Sequence, residues 1–223
     1  EPEPAGHVGY FLTGSVPEPY TLFRAIKALP AGHWMRVSRN GDRQIKRYFN
    51  PAQKLAEPPI DYKQVNLREA LLDSVKAHFT ADVPIGIFLS AGLDSASIAG
   101  LSAECQGAGL QSITLGFDEY KGQPADEVPL AKQVAQLYQM DHQTCRVSSN
   151  DFDLIYEDLF DVMDQPSIDG VNTYFVARAA GQKGLKVALS GLGGDELFGG
   201  YNTFSQVPDM VRKVNGVPGA FTF

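Results

Sequence analysis

Apolar and polar residues follow two different regimes along this chain. From Tyr10 to Asn50, short runs such as His33 to Ser38 and Gln44 to Phe49 are separated by turn residues, among them Gly14, Pro17, Pro19, Pro30 and Gly32. Asn40-Gly41 between two of these runs predicts a β-hairpin. Pro51 to Pro59 reads as a linker, because Pro58-Pro59 cannot sit inside a helix and the apolar periodicity lapses. Beyond it helices alternate with short apolar strands. Leu67, Leu71, Val75 and Phe79 recur at helical spacing, which predicts a helix over Asp61 to Phe79 with one buried stripe. Pro84 to Leu89 reads as a buried strand, Leu93 to Glu104 as a helix and Ser112 to Phe117 as a second strand. Asp126 is expected to cap a helix whose Val128, Ala131, Val134, Ala135 and Tyr138 line one face. Asn150 is expected to cap the next, with Phe152, Ile155, Leu159 and Val162 on its inner side. A helix over about Val171 to Gln182 and a third buried strand, Lys186 to Leu189, complete the pattern. The fold class expected is therefore α/β, an open parallel sheet flanked by helices, over residues 59–223, preceded by a β-rich section over residues 1–58.

Composition narrows the function classes. With 223 residues, 43% of them hydrophobic, the chain can bury a sizeable core. Lys and Arg number 19 against 26 Asp and Glu, a formal net charge of -7, which argues against a nonspecific nucleic-acid binder. The first residues, Glu1 to Gly9, have no basic-then-apolar leader, and no apolar run approaches the roughly 20 residues of a spanning helix, so a soluble protein without a membrane partner is expected. Cys105 and Cys145 stand apart without a CxxC partner and read as buried thiols in a reducing, cytoplasmic setting. His7, His33, His78 and His142 lack metal-ligand spacing.

Chemistry concentrates in two segments. Leu89-Ser90-Ala91-Gly92-Leu93-Asp94-Ser95 falls where a buried strand gives way to a helix. There the first helical amides are unpaired and the dipole is positive, and small residues let a phosphate approach the backbone. Asp94 would repel a bare phosphate, but suits one that shares a divalent cation, so the loop points to a magnesium-bound polyphosphate. It is not a Walker A loop, because no Gly-Lys-Ser/Thr closes it. An ordinary strand-turn-helix connection has the same spacing. The second segment, Ser190-Gly191-Leu192-Gly193-Gly194-Asp195-Glu196-Leu197-Phe198-Gly199-Gly200-Tyr201, also begins at a strand's C-terminal end, where open parallel sheets place ligands. Two such loops at one sheet edge could hold a nucleotide and its metal from both sides.

Ser90 to Ser95 resembles the SGG[LI]DS pyrophosphate loop of the N-type ATP pyrophosphatases, and Ser190 to Tyr201 is similar to the SGxGxDExFGGY motif of the asparagine synthase family. Upstream, Leu29 to His33 and Arg47 to Asn50 resemble the end of the glutaminase domain of glutamine-hydrolysing asparagine synthetases. The resemblance implies a PP-loop fold of the adenine nucleotide alpha-hydrolase type over residues 59–223 and the tail of a glutaminase domain plus linker over 1–58. It implies a cytoplasmic ligase of amino-acid biosynthesis with ATP and Mg2+ as cofactors and with aspartate and glutamine or ammonia as small-molecule substrates. It leaves open a homodimer of the full-length protein. Carried over residue by residue, Ser90, Gly92, Asp94 and Ser95 would contact pyrophosphate and magnesium, and Asp195 would be the second magnesium carboxylate. Asp94 and Asp195 are thus the expected catalytic and metal residues. Leu89, Leu115, Ser190 and Gly191 match positions around adenosine, with Leu89 and Leu115 equally readable as core. Glu196 is either a third acidic contact or a helix N-terminal carboxylate, and Asp126 and Glu127 fall in the family's acidic segment after a strand or simply cap a helix. Asp164 and Asp169 either contact a substrate ammonium group or mark the start of a helix.

The match has departures. Ala91 replaces a loop glycine, which would alter the loop if that position needs a positive φ. Leu192 occupies a position that is acidic in the best-known asparagine synthetases, so either the handling of ammonia differs or the acceptor is another carboxylate, as in a sugar-acid or peptide amidotransferase or a lactam synthetase; a silent nucleotide-binding module is the rival of another class. The glycine cluster so near the end, and the missing glutaminase cysteine and C-terminal helices, lead us to expect a segment of a longer synthetase that is inactive by itself.

Overall fold

The computed structural model describes residues 1–58 and 66–215. In chain order the elements are α1 (Pro4–Thr13), β1 (His33–Val37), β2 (Arg43–Arg47), α2 (Pro51–Ala56), α3 (Leu67–His78), β3 (Ile85–Phe88), α4 (Leu93–Gln106), β4 (Gln111–Phe117), α5 (Val128–Leu137), β5 (Asp141–Val147), α6 (Ser149–Val162), α7 (Gly170–Gln182), β6 (Val187–Leu189), α8 (Gly194–Phe198) and α9 (Thr203–Asn215). They fall into two compact units, residues 1–70 with 148–177, and residues 71–147 with 178–223. No helix among the described residues is long and apolar enough to cross a membrane.

In the first unit, β1 and β2 pair antiparallel around Asn40-Gly41, with Gly41 at φ 90°, as the turn signal predicts. Pro51 to Ala56 departs from the expected linker. Asn50 caps α2 by accepting from the Gln53 amide at 3.4 Å, and Pro51 stands in the first turn, where a missing N–H is harmless. Pro59 lies outside the described residues. The Pro-rich start folds as α1, which ends at Gly14 in the left-handed region, φ 76°. Asn150 does not cap α6: Ser148 does. Its hydroxyl accepts from the Asp151 amide at 3.3 Å and the Asp151 carboxylate accepts from the Ser148 amide at 2.9 Å, a capping box that starts the helix two residues earlier than Asn150 would. Ile155 and Leu159 are buried as expected, whereas Val162, in the last turn, is 64% exposed.

The second unit carries a four-stranded parallel sheet in the order β5-β4-β3-β6. The α/β class, with helices flanking an open parallel sheet, is as the sequence predicts. Passing from β3 to β4 to β5 steps across the sheet in one direction, and β6 returns to the far side of β3. Right-handed crossovers then require helices on opposite faces for the two directions. Two core clusters follow that rule. Leu89, Ala99, Ala131 and Ala135 pack β3 with α4 and α5, while Ile113, Ala179, Ala180 and Leu185 pack β4 with the end of α7. Consecutive residues Phe88 and Leu89 serve different clusters, as the alternation of a strand demands.

Two strand readings and one helix boundary change. β5 is absent from the sequence reading because its residues, Asp141 to Val147, are mostly polar, as befits the edge position it occupies. β6 is not buried; as an edge strand it leaves Val187 37% exposed. The helix expected from Asp61 is described only from Leu67, residues 61–65 lying outside the described range; Val75 is buried, but Leu67 is 54% exposed. Cys105 and Cys145 are half-buried rather than buried.

Ile87 is fully buried in the central strand. Ile87→Ala is expected to cost about 2–5 kcal/mol of stability, read as a lower urea midpoint with an unchanged slope.

Candidate functional site

The site is built on two strand ends that the pairing register places side by side. Ile85 pairs with Val187, Gly86 with Ala188 and Ile87 with Leu189, so Ser90 and Ser190 leave the same edge of the sheet from neighbouring strands. The strand order reverses between β3 and β6, and such a reversal opens a crevice at the carboxyl edge of a parallel sheet.

The first loop is internally braced. Leu89 donates its amide to the Ile113 carbonyl at 2.8 Å, and its own carbonyl accepts from the Thr114 hydroxyl at 2.5 Å, fixing the last residue before the turn. The buried Ser95 hydroxyl then ties the loop together. It accepts from the Ser90 amide at 3.1 Å, lies 2.8 Å from the Ser90 hydroxyl and 3.0 Å from the Gly92 carbonyl. Gly92 donates its amide to the Ser90 hydroxyl at 3.1 Å. Ser95 is therefore a brace of the loop's shape. Gly92, at φ -70°, stands at the cap of α4, so the next amides open the helix without an acceptor inside it. Ala91 carries no backbone strain, because Gln139 is the one non-glycine residue with positive φ among the described residues. The alteration expected from a positive φ at Ala91 does not arise.

The second loop closes onto the first. A Cβ on Gly191 would stand 2.8 Å from the Ser95 amide nitrogen, and a Cβ on Gly194 would collide with the Asp94 carboxylate. Glycine at both positions is thus a condition of the two loops meeting. Gly193, at φ 96°, turns the chain into α8, whose first turn presents Asp195 and Glu196. The Asp195 carboxylate lies against the Cα of Gly200, where a Cβ would strike it. Glu196 accepts a hydrogen bond from the Tyr201 hydroxyl at 3.1 Å. Leu192 is 89% exposed, and its amide donates to the Ser190 hydroxyl at 3.2 Å.

The remaining candidates are distributed differently. Leu89, 2% exposed, offers its side chain to the core and its backbone to the loop; Leu115, on the adjacent strand β4, is half-buried. Asp164 and Asp169 belong to the first unit and are exposed. Asp169 directly precedes α7, and its carbonyl accepts from the Thr173 amide at 3.2 Å, the helix-start reading of that segment. Asp126 does not stand at the cap of α5, which falls to Glu127. Its carboxylate accepts from the Arg146 guanidinium at 3.0 and 3.3 Å, from the Gly122 amide at 3.1 Å and from the Val128 amide at 3.3 Å. Burial pushes the Asp126 carboxyl up, but the hydrogen bonds from Arg146, Gly122 and Val128 outweigh it and hold the carboxyl below its ordinary value. Arg146 was invisible to sequence reasoning because it belongs to the unpredicted strand β5.

Among the described residues, no group of three or more His, Cys, Asp or Glu is placed to hold a metal. The four histidines are engaged elsewhere. His7, His33 and His78 each bond a nearby backbone carbonyl at 2.8–2.9 Å. His142 lies 3.0 Å from the Ser112 hydroxyl; burial and then Lys132 lower its pKa against the pull of Asp141. The Asp94 carboxylate lies against Gly194, and the Asp195 carboxylate against Gly200.

The asparagine synthase family model matches residues 66–219, which include both loops. This chain belongs to the asparagine synthase family. It is 34% identical over 205 residues to asparagine synthetase [glutamine-hydrolyzing] 1 of Bacillus subtilis, a match that covers 91% of the chain and 32% of that protein. It is 28% identical over 207 residues to amidase chyE of Penicillium rubens, covering 84% and 30%. The chain thus spans about a third of the length of these relatives. Among solved structures, the NH3-dependent NAD synthetase of Campylobacter jejuni aligns with a TM-score of 0.38 at 12% identity, over 59% of this chain and 56% of that one.

Two predictions follow from the site of this family member. Gly194→Ala should displace the Asp94 carboxylate while leaving the fold intact, which a crystal structure or the carboxyl NMR resonance of Asp94 would show. The depressed Asp126 carboxyl contributes stability above the ordinary aspartate value of about 3.9 and loses it as pH falls through the folded value. The gap in urea midpoint between the parent and Asp126→Asn should therefore narrow on going from about pH 7 to about pH 3.

Proposed function

We propose that the edge shared by β3 and β6 binds ATP and serves an aspartate-adenylating synthetase that forms asparagine with ammonia drawn from glutamine. The observation that carries this reading is the meeting of the two loops, with Gly191 and Gly194 packed on Asp94 and the Ser95 amide. In this reading an oxygen of the aspartate side-chain carboxylate attacks the α-phosphorus of ATP, and the bond to pyrophosphate breaks with its electron pair leaving on pyrophosphate. Ammonia then attacks the acyl carbon, AMP departs, and a proton is lost to give the amide.

The chain's own residues supply positioning and charge stabilisation. The amides at the start of α4, with the helix dipole behind them, face the charge that develops on the departing pyrophosphate. The bonds among Ser90, Gly92 and Ser95 hold those donors in place before substrate arrives, so no reorganisation accompanies reaction. Asp94 and Asp195 would hold magnesium, which when bound neutralises phosphate charge. Leu115 and the backbone of Leu89 and Gly191 would border adenosine. Asp164 and Asp169 are the residues proposed to receive the substrate ammonium group.

A second acceptor within the same chemistry is favoured by one observation. Leu192, 89% exposed at the lip of the second loop, puts an apolar side chain where the best-known asparagine synthetases are acidic. That surface suits a less polar carboxylate than aspartate.

Calorimetric titration of the chain with magnesium-ATP should show binding that Asp94→Ala weakens by at least about a hundredfold. Unchanged binding in the variant would remove the loop's assignment. Exchange of labelled pyrophosphate into ATP in the complete synthetase, stimulated by aspartate alone, would establish the acceptor; stimulation by another carboxylate would favour the second.

A further inference from the structure

Arg146 reaches across the carboxyl edge of β4, and nothing in the two loop motifs accounts for it. It stands near the end of β5, opposite Gly116 in the parallel register. From there Nη1 of its guanidinium donates to the Phe117 carbonyl at 3.3 Å and lies 4.0 Å from the Asp118 carboxylate, while Nη2 donates to both Asp126 oxygens, at 3.0 and 3.3 Å. Three points of one excursion are therefore fastened to a single side chain: its departure from β4 at Phe117, its first turn at Asp118, and its return at Asp126 ahead of α5. The Asp126 side chain is 4% exposed and that of Arg146 25% exposed, so water competes little for the pair. Gly116 is part of the same packing, since a Cβ there would press into Val128 and stand 3.5 Å from an Arg146 nitrogen.

We propose that Arg146 is a positioning residue for the nucleoside end of the ATP site, acting through Phe117 and Asp126 on the chain that leaves β4. The inference rests on the ATP reading above and extends it to residues outside both motifs. Leu115, the one β4 residue assigned to adenosine, lies in the same short stretch as Gly116 and Phe117. The polyphosphate loop hangs instead on β3 and the internal bonds of Ser90, Gly92 and Ser95, none of which involves Arg146. The two ends of the nucleotide are thus held by separate devices, and loss of the guanidinium should loosen one of them alone. A lysine keeps the charge but has a single nitrogen, which cannot serve Asp126 and the Phe117 carbonyl from two separate points as Nη2 and Nη1 of the guanidinium do.

The test compares binding of magnesium-pyrophosphate and of AMP to the parent chain, Arg146→Lys, Arg146→Met and Asp126→Asn, with far-ultraviolet circular dichroism as the fold control. Arg146→Met and Asp126→Asn should weaken AMP by about tenfold and leave pyrophosphate unchanged, with Arg146→Lys between them and the parent. Parent-like AMP affinity in all variants overturns the proposal, and so does an equal loss for AMP and pyrophosphate, which would mark Arg146 as a support of the fold at large. Should Arg146→Met fail to fold, Arg146→Lys and Asp126→Asn decide by the same comparison. Absence of both ligands from the parent chain would instead strike the ATP reading, and this proposal with it.

Discussion

Three residue pairs between β3 and β6 hold the arrangement together. Ile85, Gly86 and Ile87 lie beside Val187, Ala188 and Leu189, segments far apart in the chain, and their parallel register lets both strands finish at one level. A parallel pair of this kind needs a long crossover, and here the connection runs through β4, β5 and four helices before it returns. Were β6 to slip by a single residue, its side chains would exchange faces, and Gly191 would no longer stand opposite Ser95. The ladder is short, but it is anchored on a central strand whose Ile85 and Ile87 are buried.

Upon that ladder the loops meet because certain atoms are missing. Gly191 and Gly194 are not there for unusual torsions; neither has the positive φ that Gly193 and Gly199 show. They are there because a methyl group would occupy the space of the Ser95 amide or the Asp94 carboxylate. The absence of two side chains lets the second loop and a helix start come into contact, with Asp94, in the first turn of α4, under the dipole of that helix.

Much of this was legible in the sequence where local rules and the tertiary setting agree. The hairpin at Asn40-Gly41, the buried run Ile85 to Leu89 and the apolar face of α5 each follow from a local pattern that the fold did not need to override. The elements that escaped were governed by position in the sheet. β5 is polar because it is an edge strand, so its alternation never looked like a core strand, and Arg146 stayed hidden with it. The cap of α6 was misplaced by two residues because Asn150 and Ser148 are both good capping residues in isolation, and only the reciprocal bond from Asp151 separates them. The site was legible as two motifs; that Ser95 would spend its hydroxyl on the loop itself was not, since spacing cannot say which partners a side chain chooses.

The saturated hydroxyl of Ser95 has a kinetic meaning. A loop whose shape is already secured by its own bonds loses little conformational freedom when a ligand arrives. Under the ATP proposal, encounter rather than the ordering of the loop would govern how fast the polyphosphate is captured at this edge, and affinity would be expressed chiefly in how slowly it leaves.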